Sequence, residues 1–505
     1  MTAAEAIARV RPLTAARWAT PALLVALTAV SVVLRTRIID GGFWIDEGLS
    51  VGIAHHPFVD IPGLLKQDGS PPLYYLLLHV WMSSFGDSET ATHTLSLLFA
   101  LACIPAAWWA GATLFGRTTG WICAALAAID PYLTNYGQET RMYTVLAFLS
   151  ILATLAYVRG VVDGDKRWLP LLVAALTAML YTHNWALFYA VALAVATMFF
   201  ARAHAREALM AGGATLLLFA PWLPTLLDQA QHTGAPWSRA PSLHALLLAP
   251  GAVLAGDAPL VAFALAGGIG LATVRRRDIV YALATIVVLT VSLAWLLSQL
   301  SPAWATRYFA VVLGPVFLLC AAGVARAARL GVVALVLVLV LWTNSAPKAD
   351  KSDVREVAAL VAPSLRPGDL VISTHPEQTP LVRYYLGGGL RYANLLGPMP
   401  DPQLFDWRDA VERLTDARPR ATLEPLLASV PPGGRVAVVA PIFRDYRAWR
   451  AEWTKLVYRR SLQWQGLIAH DPRFRHTGHF VANEIELEKR FFKPVQADVY
   501  VRTAR

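Results

Sequence analysis

Long apolar runs, broken by short charged loops, fill the first 345 residues of the chain. The runs at 18–34, 93–115, 118–136, 141–159, 168–182, 184–201, 207–227, 258–274, 279–299, 306–325 and 328–344 predict a polytopic all-α membrane protein. At roughly 20 apolar residues per bilayer crossing, they amount to about eleven transmembrane helices. The stretch from Leu73 to Met82 is apolar but too short to cross, and its Tyr and Trp residues suit a helix that lies in the interface or re-enters the bilayer. The first run follows Arg9, Arg11 and Arg17 as a signal peptide would. Arg35, Thr36 and Arg37 stand where a small-residue cleavage site belongs, so the run reads as a retained anchor.

Beyond Asn344 the pattern changes to charged sequence punctuated by Pro and Gly. Strand patterns at Asp369–Ser373 and Arg435–Ala440 alternate with helical stretches at Val354–Leu365 and Tyr446–Ile468. This predicts a membrane domain over 1–345 followed by a small α/β domain over 346–505. In the last helical stretch Tyr446, Trp449, Trp453, Leu456 and Val457 keep helical spacing, which reads as a buried face in preference to a sugar-stacking platform.

Composition changes this picture little. The 505 residues are 56% apolar and 15% charged, with a mean hydropathy of +0.47, so the bilayer is the main solvent. The net charge of +10 is scattered over short loops, at Arg117, at Arg159, Lys166 and Arg167, at Arg202 and Arg206, at Arg275 to Arg277, and at Arg326 and Arg329. That is the positive-inside pattern of a multi-pass plasma (inner) membrane protein, and no basic stripe calls for a nucleic-acid partner. With a cytoplasmic amino terminus, an odd number of crossings places the α/β domain on the extracytoplasmic side. Cys103, Cys123 and Cys320 fall inside apolar runs and read as small hydrophobes.

The opposite loops are poor in Lys and Arg but hold the chemistry: Trp44-Ile-Asp-Glu47, Asp68-Gly-Ser-Pro-Pro72, Tyr136-Gly-Gln-Glu-Thr-Arg141, His183-Asn184 and Arg307-Tyr308. A carboxylate pair at Asp46 and Glu47, close to hydrocarbon, needs a reason. It serves either as a general base or as a cap on the next helix. Two prolines fix the loop after Asp68, which presents a carboxylate or simply turns the chain into the next helix. Glu139, Arg141 and Tyr143 open a span at interface depth, as do Arg307 and Tyr308; each Arg either binds phosphate or snorkels. The adjacent His55 and His56 cannot easily share one ion, and no ligand spacing accompanies them or His183. No particular cofactor is called for, and a divalent metal stays open but is not indicated. There is also no Walker loop or dinucleotide fingerprint.

Together the Trp44–Glu47, Asp68–Tyr75, Glu139–Tyr143 and Arg307–Tyr308 motifs resemble the polytopic GT-C glycosyltransferases. The resemblance is nearest to bacterial relatives of dolichyl-phosphate-mannose protein mannosyltransferases and of the lipid A aminoarabinose transferase. It covers about residues 15 to 345. It implies a polyprenyl-monophosphate sugar donor, with mannose or an arabinofuranose-like pentose as the sugar. It also implies an acceptor glycan, glycolipid or protein approached from outside, and Asp46 as the base, with Glu47 as an orienting neighbour. Asp68, Tyr74, Glu139, Arg141, Tyr143, His183, Arg307 and Tyr308 then serve the donor phosphate and substrates. His93 stands where many relatives have Arg, and no role is assigned to it. The competing expectations are a polytopic transporter or lipid flippase, which would place polar residues at the bilayer midplane, and a non-catalytic envelope assembly protein.

Overall fold

The computed structural model describes residues 13–344, 351–443, 449–482 and 494–504. Tyr446 and the junction between 345 and 346 lie outside the described residues, as do Arg9 and Arg11 and the side chain of Arg17. The amino-terminal part is helical throughout. Among the described residues, six helices in it are long and apolar enough to cross a membrane: Trp18–Arg35, Glu89–Phe115, Tyr143–Val162, Arg202–His232, Arg277–Leu297 and Thr306–Val324. Four more, Leu73–Phe85, Ala186–Phe200, Asp257–Ala272 and Ala328–Thr343, are apolar but shorter. The protein is thus a multi-pass membrane protein, and among the described residues fewer helices are of full length than there are apolar runs.

One reason is local. The run expected to span over 118–136 is two helices, Arg117–Ile129 and Pro131–Tyr136. Pro131 has no amide hydrogen to continue the first, and Asp130 Oδ1 caps the second by accepting from Leu133 N at 2.8 Å. Small residues let the helices around Gly111 and Gly120 approach closely: a Cβ on Gly120 would lie 2.8 Å from the backbone oxygen of Trp108.

Four helices near the amino terminus position the site: α1 (Leu13–Arg35), α2 (Ile45–Ala54), α3 (Leu73–Phe85) and α4 (Glu89–Phe115). The short α3 buries Tyr74, Tyr75, Leu78 and Met82 along one side. It ends at Gly86, whose φ of +83° an L-residue rarely adopts. Ser88 then starts α4 by accepting from Ala91 N.

The carboxyl-terminal part is built on a sheet of β1 (Leu370–Ser373), β2 (Arg391–Asn394), β3 (Gly397–Pro398), β4 (Arg435–Pro441), β5 (Phe474–Val481) and β6 (Val495–Arg502), in the order β3-β2-β1-β4-β6-β5. The central strands β2, β1 and β4 run parallel, and the others antiparallel to their neighbours. Alternation sends Leu370, Ile372, Val436 and Val438 to one face, against Leu423, Leu427, Trp453 and Trp464. Val371, Ala437 and Val439 face the other way and join a core continuous with the membrane helices. Trp453 and Val457 are fully buried, as their helical spacing predicts, although the helix begins at Glu452.

This sheet unit is clamped onto α2. A Cβ on Gly48 would lie 2.8 Å from Leu381 Cα, and one on Gly52 would lie 2.1 Å from the Gln403 backbone oxygen. Glycine at this four-residue spacing is what lets the helix carrying Asp46 lie directly against the backbone of the α/β unit.

Candidate active site

A cavity of about 850 Å³ opens between the membrane helices and the α/β unit. Asp46, Asp68, Arg141, His183, Arg307 and Tyr308 all line it. These residues come from five separate stretches of sequence.

Arg307 lies in a 3₁₀ turn, Thr306–Val312, that Tyr132 holds by donating its hydroxyl to the Arg307 backbone oxygen and accepting from Ala310 N. Its guanidinium stands over the rings of Trp237 at 4.8 Å, Trp44 at 5.4 Å and Tyr308 at 5.5 Å. This aromatic cradle supports a cation without neutralising it. Arg307 Nη2 also reaches Asp46 Oδ2 at 3.4 Å, and the two side chains are only 19% and 21% exposed.

Arg141 approaches from the turn before the Tyr143–Tyr157 helix. Its Nη1 donates to Ser50 Oγ at 2.8 Å and to the Asp46 backbone oxygen at 3.1 Å. The Nε–H groups of both arginines are buried with no hydrogen-bond partner among the described residues, which leaves charged donors available to an anion in the cavity.

Asp68 Oδ2 accepts from Tyr75 Oη at 3.2 Å. Burial raises this carboxyl above its ordinary range, against the pull of Ser70 and Arg141. The loop around it is tied down by Asn184 Nδ2 donating to the Gly69 oxygen and Gln229 Nε2 to the Leu65 oxygen. His183 Nδ1 accepts from Trp185 N at 3.1 Å, which leaves the proton of the neutral ring on Nε2. Burial, with Arg141 and Arg307 nearby, pushes its pKa down to about 3, so it adds no charge to the site.

Four expected site residues stand outside the cavity wall. Glu47 is fully buried on another side of α2: Oε1 accepts from His93 Nε2 at 2.7 Å and Thr140 N at 2.7 Å. Its Oε2 accepts from Lys351 Nζ at 2.9 Å and Trp44 N at 3.2 Å. Burial alone would raise this carboxyl, but Lys351 and His93 outweigh it and hold the group well below its ordinary range. Glu47 is therefore bonded within the protein on all sides and does not line the cavity. Tyr74 is buried with its hydroxyl 3.3 Å from Ser96 Oγ, and Glu139 is buried as well. Tyr143 packs behind the wall, 5.8 Å under the Arg141 guanidinium.

Half of the cavity is invisible to motif reading. Trp237 comes from a loop with no polar signature, and Lys351, Glu377, Gln378, Trp407 and Arg450 come from the α/β unit. The adjacent histidines go to different partners, His55 to Asp87 at 3.0 Å and His56 to Asp401 at 2.7 Å. Among the described residues no three His, Cys, Asp or Glu side chains converge as a metal site.

Residues 69–225 match the family described as dolichyl-phosphate-mannose-protein mannosyltransferase. No curated protein matches the chain by sequence. In fold it is similar to ArnT from Cupriavidus metallidurans bound to undecaprenyl phosphate, with a TM-score of 0.62 at 13% identity over 95% of this chain and 98% of that one. The apo state of the same enzyme gives 0.61 at 12% identity over the same shares. The Archaeoglobus fulgidus oligosaccharyltransferase tethered to an acceptor peptide gives 0.51 at 13% identity, over 93% of this chain and 73% of that one. A match to this mannosyltransferase family over residues 69–225 thus sits inside a fold similar to that of ArnT.

Proposed function

We propose that the protein transfers a sugar, mannose or arabinofuranose, from a polyprenyl-monophosphate donor to a hydroxyl of a cell-envelope acceptor on the extracytoplasmic face of the plasma membrane. The membrane domain, 1–345, carries the chemistry, and the α/β domain, 346–505, stands outside. The observation that carries this reading is the contact of 3.4 Å between Asp46 and Arg307 inside a cavity that Arg141 also lines. ArnT bound to undecaprenyl phosphate supports a polyprenyl phosphate as the lipid.

A sugar phosphate departs as a stable anion. The reaction therefore needs fixed cations for the phosphate and one base for the acceptor, without the second carboxylate of a glycoside hydrolase. Asp46 takes the proton of the acceptor hydroxyl as its oxygen bonds to the anomeric carbon. The bond from that carbon to the phosphate oxygen breaks, and its electron pair leaves with the phosphate toward Arg307 and Arg141. Because Arg307 touches both the base and the departing phosphate, the two partners of one displacement are held in register. A single displacement inverts the anomeric configuration. Reconstitution with radiolabelled polyprenyl-phosphate mannose and polyprenyl-phosphate arabinofuranose tests this: an inverted product is expected, and a retained one overturns the mechanism.

A further inference from the structure

The cavity is chemically two-sided. Its membrane wall carries Arg141 and Arg307, whose Nε–H groups have no partner among the described residues. The facing wall carries oxygens, on the short turn Pro376–Gln378 that follows β1. Glu377 Oε1 accepts from Trp453 Nε1 at 2.9 Å and stands 2.9 Å from His375 Nε2, so the carboxylate is locked in place. Gln378 beside it is 1% exposed, and its Oε1 has no hydrogen-bond partner among the described residues. A buried amide oxygen without a donor is costly to keep unless a ligand supplies one. The cations on this side are already engaged: Lys351 with Glu47 and the Gln138 backbone oxygen, and Arg450 within the protein.

We infer that Gln378, backed by Glu377, binds the acceptor, and that the acceptor is a carbohydrate. The inference rests on the donor reading above. A phosphate here would meet the Glu377 carboxylate, and an acyl chain would leave Gln378 unpaired. A Ser or Thr side chain spends its one hydroxyl at Asp46, so a peptide has only backbone N–H groups left to offer Gln378. A sugar ring brings the attacking hydroxyl and several others at once, and Trp407 and Trp237 on the same cavity give its apolar faces something to stack on.

The test uses the full chain in nanodiscs with radiolabelled polyprenyl-phosphate mannose or arabinofuranose. Octyl mannoside, octyl arabinofuranoside and a Ser/Thr-containing peptide serve as acceptor probes. Transfer to an octyl glycoside is expected. Gln378→Ala is expected to raise the acceptor KM about tenfold while the donor KM stays within about twofold, and Arg307→Lys to do the reverse. Equilibrium binding of labelled octyl glycoside without donor should weaken by the same factor in Gln378→Ala, with the variant's melting temperature checked alongside. An unchanged acceptor KM in a folded Gln378→Ala, or transfer to the peptide and to no glycoside, overturns the inference alone. Failure of the wild type to bind either labelled donor overturns the donor reading and the inference with it.

Discussion

Replacing Glu47 by Gln preserves the shape of the side chain and removes its charge. In the wild type each carboxylate oxygen accepts two hydrogen bonds: His93 Nε2 and Thr140 N on one, Lys351 Nζ and Trp44 N on the other. An amide has only one oxygen, so one pair of donors must face an N–H. Breaking a buried ion pair costs about 3–5 kcal/mol. Lys351 keeps the Gln138 backbone oxygen and is 13% exposed, so the loss should fall near the lower end, about 3 kcal/mol. It should appear as loosened docking of the α/β unit, because Lys351 leads into that unit. The assay is equilibrium unfolding in mixed micelles for Glu47→Gln, Lys351→Met and the double variant, with coupling expected between the two positions. The carboxyl is depressed in the fold, so its stabilisation is present above the ordinary value of 4.5 and is lost as pH falls below it. The gap between wild type and Glu47→Gln should therefore close in acid. A variant as stable as wild type at neutral pH, or strictly additive losses, would refute this role.

Further outcomes follow from the same geometry. Gly52→Ala puts a Cβ 2.1 Å from the Gln403 oxygen and should cost about 1–3 kcal/mol in the same unfolding assay. Gly63→Ala, with nothing within 4 Å of its Cβ, is the control expected to match wild type. Arg307→Lys keeps the charge but loses the guanidinium contacts with the Trp237 and Trp44 rings, and steady-state kinetics should show the donor KM raised about tenfold. His183, with its pKa pushed down to about 3, stays neutral across about pH 5–8. His183→Gln should therefore leave the shape of the pH–rate profile unchanged, and a displaced limb would show that the ring titrates during turnover.

The membrane wall of the cavity is legible in the sequence because the bilayer makes polar residues at interface depth conspicuous. Asp46, Asp68, Arg141, His183 and Arg307 each stand beside an apolar run on one predicted side, and the structure gathers them. Glu47 shows the limit of that logic. Adjacent residues on a helix point about 100° apart, so when Asp46 faces the cavity Glu47 faces His93 and Lys351. His93, given no role from sequence, proves to be that partner. Lys351 and Gln378 are hidden because only tertiary packing brings the α/β unit against α2. The four-residue spacing of Gly48 and Gly52 was the available hint of that contact. Hydropathy averages over a break such as the one at Asp130–Pro131, which is why 118–136 reads as one run.

The central claim is that Asp46 removes the acceptor proton while fixed arginines hold the departing phosphate. Its most direct measurement is single-turnover transfer from a radiolabelled polyprenyl-phosphate sugar, comparing wild type with Asp46→Asn and recording donor binding in parallel. Loss of about a hundredfold to ten-thousandfold in rate, with donor binding nearly retained, is the expected result. Transfer at the wild-type rate would contradict the account.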